Sequence, residues 1–183
     1  ITTPTTWSPG VPGCVHYRVS GQSQVWSALT VSPGTTVSFT AGAGLTIQGS
    51  LSAIGTATAK IRFLGEQPVR GYWQGLTFSS SAAANELTHV EVAYGGGGGG
   101  SNPANVTVNP FERLRLTNTT LRESAGLGLF IGGEANLPGF ASNTLRNNAA
   151  AGIRLPLDLL GALDLASDYL TGNGQAFLDV YGD

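Results

Sequence analysis

The sequence predicts an all-β parallel solenoid, and three observations carry that reading. Short alternating or β-branched segments bounded by Gly, Pro, Asn or Ser fill almost the whole chain. Nine-residue windows recur from Leu87, Leu116, Phe140 and Leu165, at separations of 29, 24 and 25 residues. No stretch carries a convincing helical period. A single turn of such a coil cannot bury its apolar face. Turns stacked about 4.8 Å apart bury a continuous interior and pair each strand with its copies above and below.

Taken in order, the strands are "TVSFT" from Thr36, "LTIQG" from Leu45, "KIRFLG" from Lys60, "WQGLTF" from Trp73, "LTHVEV" from Leu87, "NVTV" from Asn105 and "RLRLT" from Arg113. The four windows are "LTHVEVAYG", "LTNTTLRES", "FASNTLRNN" and "LASDYLTGN", with an earlier copy at "LTIQGSLSA" from Leu45 offset by one residue. Their sixth position reads Val92, Leu121, Leu145, Leu170, an expected axial column. Val90 with Val92, and Thr119 with Leu121, share a parity and point inward. Glu91/Ala93, Thr120/Arg122, Thr144/Arg146 and Tyr169/Thr171 then face outward. Later windows are each followed by a further apolar strand: "LGLF", "GIRL" and "AFLDV". In "LPLDLLGALDLASDYL" from Leu155, alternating leucines together with Pro156 and Gly161 favour strand over helix.

The run Gly95–Gly100 falls inside the longest repeat spacing, with the repeat continuing on both sides. Six glycines held in a strand would cost about 0.5–1 kcal/mol each relative to alanine. The run therefore reads as a loop, spanning residues 95–104, thrown out of one coil rather than as a linker between domains. No Lys-Ser/Thr follows it and no helix begins there, so it is not a phosphate cradle.

At 183 residues, the chain has the length of one domain. Only 11% of residues are charged and the formal net charge is −2. That balance offers no electrostatic footprint for nucleic acid or an anionic membrane. No apolar run approaches the roughly 20 residues of a spanning helix. The chain starts at Ile1 with no signal peptide, as a mature or excised piece would. Cys14 is the only cysteine, a buried or idle thiol or else one half of an intermolecular bond.

Three motifs carry a resemblance: Leu-Thr-x-x-Pro-Gly at Leu29–Gly34, Gly-x-Leu-x-Ala-x-Gly-Thr at Gly49–Thr56, and Trp-x-Gly-Leu-x-Phe at Trp73–Phe78. Over roughly residues 24 to 183 the chain resembles the right-handed parallel β-helix (pectin-lyase-like) repeat modules of secreted bacterial surface proteins. The resemblance implies a single-stranded right-handed solenoid of about five or six coils, residues 1–24 serving as a lead-in or cap. It also implies a secreted or cell-surface setting in a bacterial envelope. The fold itself carries lyases, adhesins and inert stalks alike, so it does not choose an activity.

The chemistry must come from the residues. β-Helix enzymes that cut acidic polysaccharides need clustered carboxylates on one outer sheet. Here no window position stacks Asp or Glu from turn to turn. The nearest acidic pairs are Asp164/Asp168 and Asp179/Asp183, and Asp168 sits opposite Val90, Thr119 and Asn143, a turn-lining position. No catalytic residue, metal site or cofactor is assigned. Arg122 and Arg146 occupy one outward position in successive turns, with Glu91 nearby. Such a pair could grip a sugar carboxylate or sulfate in bidentate fashion, or simply be solvated. Glu91, Arg122 and Arg146 are the ligand-binding candidates.

His16 and His89 lack a triad or metal partner. His89 shares window position three with Asn118, Ser142 and Ser167, a polar turn ladder. Ser124, Asn148 and Asn173 share position nine, where stacked amides can fix register along the axis. Trp73, beside Tyr72, could stack on a sugar together with Trp7, Trp26 and Tyr94, but its apolar neighbours favour packing. Two glycosylation sequons begin at Asn105 and Asn118 and read as Thr-rich strand.

The expected function is a non-catalytic structural or interaction module of an extracellular protein, a rigid spacer or assembly surface. Its partners would be other proteins, or further modules stacking on the solenoid ends. The last strand leaves an open sheet edge that something should cover. The alternative is a polysaccharide-binding or polysaccharide-cleaving β-helix that uses its outer sheet.

Overall fold

The computed structural model describes residues 1–10 and 16–182. Cys14 and Asp183, and with them the readings placed on the thiol and on the Asp179/Asp183 pair, lie outside the described residues. The fold is a parallel β-solenoid of seven coils.

Each complete coil contributes one short strand to each of three sheets. The first coil holds β1 (Thr5–Trp7), β2 (Tyr17–Val19) and β3 (Gln22–Val25), so the expected lead-in itself contributes a strand to each sheet. The second holds β4 (Ala28–Val31), β5 (Thr36–Phe39) and β6 (Gly44–Ile47). The third holds β7 (Ser50–Ile54), β8 (Ile61–Gly65) and β9 (Gly75–Phe78). The fourth holds β10 (Glu86–Thr88), β11 (Val90–Ala93) and β12 (Ala104–Val108), and the fifth β13 (Arg115–Thr117), β14 (Thr120–Arg122) and β15 (Leu127–Ile131). Strands β16 (Thr144–Arg146) and β17 (Ile153–Pro156) form the sixth, and β18 (Asp179–Tyr181) the last. The first sheet runs β1-β4-β7-β10-β13, the second β2-β5-β8-β11-β14-β16, and the third β3-β6-β9-β12-β15-β17-β18, every pairing parallel.

The interior is made of axial columns. In the second sheet Val37, Phe63, Val92, Leu121 and Leu145 stand in register, all fully buried. In the third, Leu45, Leu76, Val106, Leu129 and Ile153 do the same. Trp73 is fully buried, stacks on Phe39 at 3.9 Å, and donates its indole N–H to the Ala93 carbonyl at 2.8 Å, so it packs the core rather than offering a platform. Trp7 and Tyr17, the first members of two inward columns, stack at 4.9 Å across the N-terminal end.

Polar turns fix the register. Asn148 Oδ1 accepts from the Ser124 N–H at 3.0 Å, and Asn173 Oδ1 from the Asn148 N–H at 2.9 Å. Each amide nitrogen donates back to a carbonyl of the preceding coil, Asn148 to Leu121 and Asn173 to Leu145. This is the expected position-nine ladder. Asn105 in β12 joins it, its buried side chain accepting from the Gly95 N–H and donating to the Arg122 carbonyl, so that sequon asparagine is engaged. His89, Asn118 and Ser142 all adopt left-handed φ of 50–56°, the conformation polar turn residues accept most readily.

Several expectations are corrected. Residues Leu157–Ala162 form a 3-10 helix with no buried member, not a strand. Pro156 offers no N–H to continue a ladder, and of the alternating leucines Leu155 is buried, Leu157 is exposed and Leu159 packs part-buried against the core. The fourth window slips by one residue as a result. Thr144 bridges Asp168, which places Tyr169 beyond Leu145, and Tyr169 packs on the core and stacks on Phe140 at 6.1 Å. Leu165 is fully exposed and Leu170 is 46% exposed, so neither continues its column. Asp168 therefore lines up with Thr144, Thr120 and Glu91, while Ser167 takes the place beside Asn143, accepting its N–H at 2.7 Å. Leu45 belongs to the third sheet, and the earlier equivalent of Leu87 is Ala53 in β7. All strands of the coil share one in–out alternation, so local pattern does not reveal which sheet a strand joins. Ala93 keeps its expected outward register but is covered, fully buried apart from the main core cluster.

Candidate functional site

The outer face of the second sheet gathers the residues singled out by charge. Registers place Arg62, Glu91, Thr120, Thr144 and Asp168 in one outward row, and Leu64, Ala93, Arg122 and Arg146 in the next. Arg122 holds Glu91 through Nε at 2.7 Å and Nη2 at 2.6 Å, and its Nη1 donates to the Tyr94 hydroxyl at 3.1 Å. The guanidinium also lies over the Tyr94 ring at 5.1 Å. Arg62 approaches the other carboxylate oxygen of Glu91 at 3.3 Å. Partial burial pushes the Arg122 pKa down, but the bonds to Tyr94 and Glu91 outweigh it and hold the value above the ordinary one.

Glu91 and Arg122 are thus brought together, and Arg146 stands directly in register with Arg122 but is exposed. Arg146 acts on the last coil. Partial burial pushes the Asp168 pKa up, but bonds from Thr171 and Leu170 and the charge of Arg146 hold it below the usual carboxylate value. The bidentate capacity of Arg122 is spent on Glu91. Cationic capacity persists at Arg146 and in an open groove of about 580 Å³ that Lys60, Arg62 and Glu91 line with the 57–60 turn.

Other carboxylates follow the same rule of pairing with arginine. Arg70 meets Glu123 at 2.9 Å, Arg115 meets Glu86 at 3.6 Å, Arg18 meets Glu66, and Arg154 meets Asp179 at 3.6 Å. Asp164 is bound instead by the Ser142 N–H and by the Ser167 and Tyr169 hydroxyls. These hold its pKa below the ordinary value against the upward push of its partial burial. Such pairing ties coils together. Among the described residues no three His, Cys, Asp or Glu cluster as a metal set would require. His16 accepts the Thr36 N–H on Nδ1 at 3.1 Å. Among the described residues no helix is long and apolar enough to cross a membrane.

Sequence reasoning missed the outer face of the third sheet. Its outward row runs Gln24, Thr46, Thr77, Thr107, Phe130, Arg154 and Asp179. Beneath the 94–103 loop it carries two adjoining grooves of about 270 and 300 Å³, with Asn102 and Pro103 lining both. The available signal was Phe130, an aromatic residue in the outward slot of "LGLFI". Compared with models of protein families, with curated proteins and with solved structures, the chain gives no match.

Proposed function

We propose that the chain is a non-catalytic structural and interaction module of an extracellular or cell-envelope protein, working as a rigid spacer whose ends are assembly surfaces. The observation that carries this reading is the contrast along the axis. An uninterrupted stack of buried columns ends in a coil whose Leu157, Leu165, Leu170 and Phe177 all face outward, beyond an edge strand, β18, paired on one side only. Exposed apolar side chains beside free strand edges suit contact with another module or protein. The carboxylates bound to arginines and turn donors favour a structural over a catalytic use of the acids. Sedimentation velocity over a concentration series tests the reading. Reversible association is expected, and Leu165→Glu with Leu170→Glu abolishes it. Release of depolymerised sugar from a polysaccharide panel would overturn it.

The groove beside Glu91 favours a second reading, in which Lys60, Arg62 and Arg146 bind an acidic polysaccharide on the second sheet while Arg122 holds Glu91 in place. It requires thermal stabilisation by an anionic oligosaccharide, weakened by salt and lost in Arg122→Ala or Arg146→Ala.

A further inference from the structure

We infer that the outer face of the third sheet is a second, separate binding site, one that takes an uncharged oligosaccharide. Its floor is apolar and lies outside the main core. Ala104, Leu127 and Ala151 form a small buried cluster on which Phe130 packs, half-buried; its ring stacks on Tyr181 at 6.2 Å, and the residue lines the groove.

Its rim is neutral and polar. The side chains of Gln74, Thr77, Asn102 and Thr107 make no hydrogen bond to another described residue, whereas the turn amides of Asn105, Asn143, Asn148 and Asn173 are all engaged. No charged residue lines the first groove, and the two that line the second, Arg154 and Asp179, face each other at 3.6 Å. An apolar floor with amide and hydroxyl groups around it matches a pyranose chain, which presents C–H faces and hydroxyl edges. The first groove offers an anion no cation, and in the second Arg154 is held by the charge of Asp179 and lies over the Tyr181 ring, with its Nε left unbonded. A peptide added as a strand needs a sheet edge, and this is a sheet face. Each lobe lies near the low end of the roughly 300–1,000 Å³ of small-molecule pockets.

The glycine run supports the assignment from a different direction. A Cβ on Gly95 would meet Asn105 Oδ1 at 2.8 Å, one on Gly96 would meet Ser124 Oγ at 2.3 Å, and one on Gly97 would meet the Gly71 carbonyl at 2.2 Å. Packing requires those three glycines. At Gly99 and Gly100 a Cβ would meet nothing within 4 Å, and at Gly98 only Gln74 Cβ at 4.0 Å, with no left-handed φ at any of the three. Folding does not require glycine there. Gly98 and Gly100 both line the first groove, so a bulky side chain at either alters it.

The test is isothermal titration calorimetry of the full chain against linear β-1,4- and β-1,3-linked glucose, xylose and mannose oligomers, with an oligogalacturonate as the anionic comparison, at low and high salt. A neutral oligomer is expected to bind with affinity insensitive to salt. Phe130→Ala and Gly100→Trp should each weaken it by about tenfold or more, and Arg122→Ala should leave it unchanged. Gly100→Trp keeps the test decisive if Phe130→Ala disturbs the fold. No heat from any neutral oligomer, or binding that survives Gly100→Trp, would overturn the assignment. So would binding that is lost in Arg122→Ala and screened by salt, which would place the ligand on the second sheet.

Discussion

The fourth to sixth coils and the last coil are written in the same nine-residue pattern but do not fold alike. In the middle coils Val92, Leu121 and Leu145 stand above one another, fully buried. In the last, Leu165 and Leu170 point away and Tyr169 turns inward. A middle coil has a neighbour on each side, so its register is fixed twice, by paired backbone and by turn side chains. The last coil has one neighbour, and its chain arrives from a 3-10 helix set off by Pro156. In these coils, repetition in sequence becomes repetition in structure where the stack supports both faces.

Truncation at equivalent positions breaks this comparison most sharply. Leu121→Ala should cost about 2–5 kcal/mol, while Leu165→Ala should stay within about 0.5 kcal/mol; urea denaturation reads both. Equal losses would mean the last coil is packed like the others. Next in size, Asn148→Ala removes the acceptor of the Ser124 N–H and a donor to the Leu121 carbonyl. The expected cost is about 1–3 kcal/mol, and Asn173→Ala, at a half-buried position, should cost less.

On the outer face, Arg122→Gln loses the bonds to Glu91 and Tyr94 and should destabilise by about 1–2 kcal/mol. Arg146→Gln, at the exposed position in register with it, should be close to neutral. The smallest effect is acid sensitivity confined to the last coil. The pKa values of Asp164 and Asp168 are lowered on folding, so their contribution is complete above the unfolded value near 3.8 and fades as pH falls through their lower folded values. Both are largely solvated, so acid should loosen the Tyr169 region first and leave the global midpoint little changed.

How far the sequence could be read follows the same division. The strands "TVSFT", "KIRFLG" and "NVTV" were legible because alternation with β-branched residues has one physical meaning, a pleated surface with one buried face. The Ser124–Asn148–Asn173 ladder was legible because identical polar types recur at one turn position. The sheet to which Leu45 belongs was not, since every sheet imposes the same alternation. Nor was the end of the stack, where "LDLLGALDL" packs Leu159 and Leu163 part-buried on the core and leaves Leu157, Leu160 and Leu165 exposed. Glu91 and Arg122 could be placed on one face from spacing alone. That Tyr94 and Arg62 would join them depends on side-chain reach across coils. The third-sheet groove was hidden further, because its rim is ordinary Thr, Gln and Asn, and only Phe130 stands out of pattern.

Native-state hydrogen exchange followed by NMR tests the stacking account most directly, because it reports each coil separately. The backbone amides of Val92, Leu121 and Leu145 should exchange only through global unfolding, and that of Leu165 should exchange orders of magnitude faster through local opening. Protection at Leu165 equal to that at Leu145, or exchange at Leu121 as rapid as at Leu165, would contradict it.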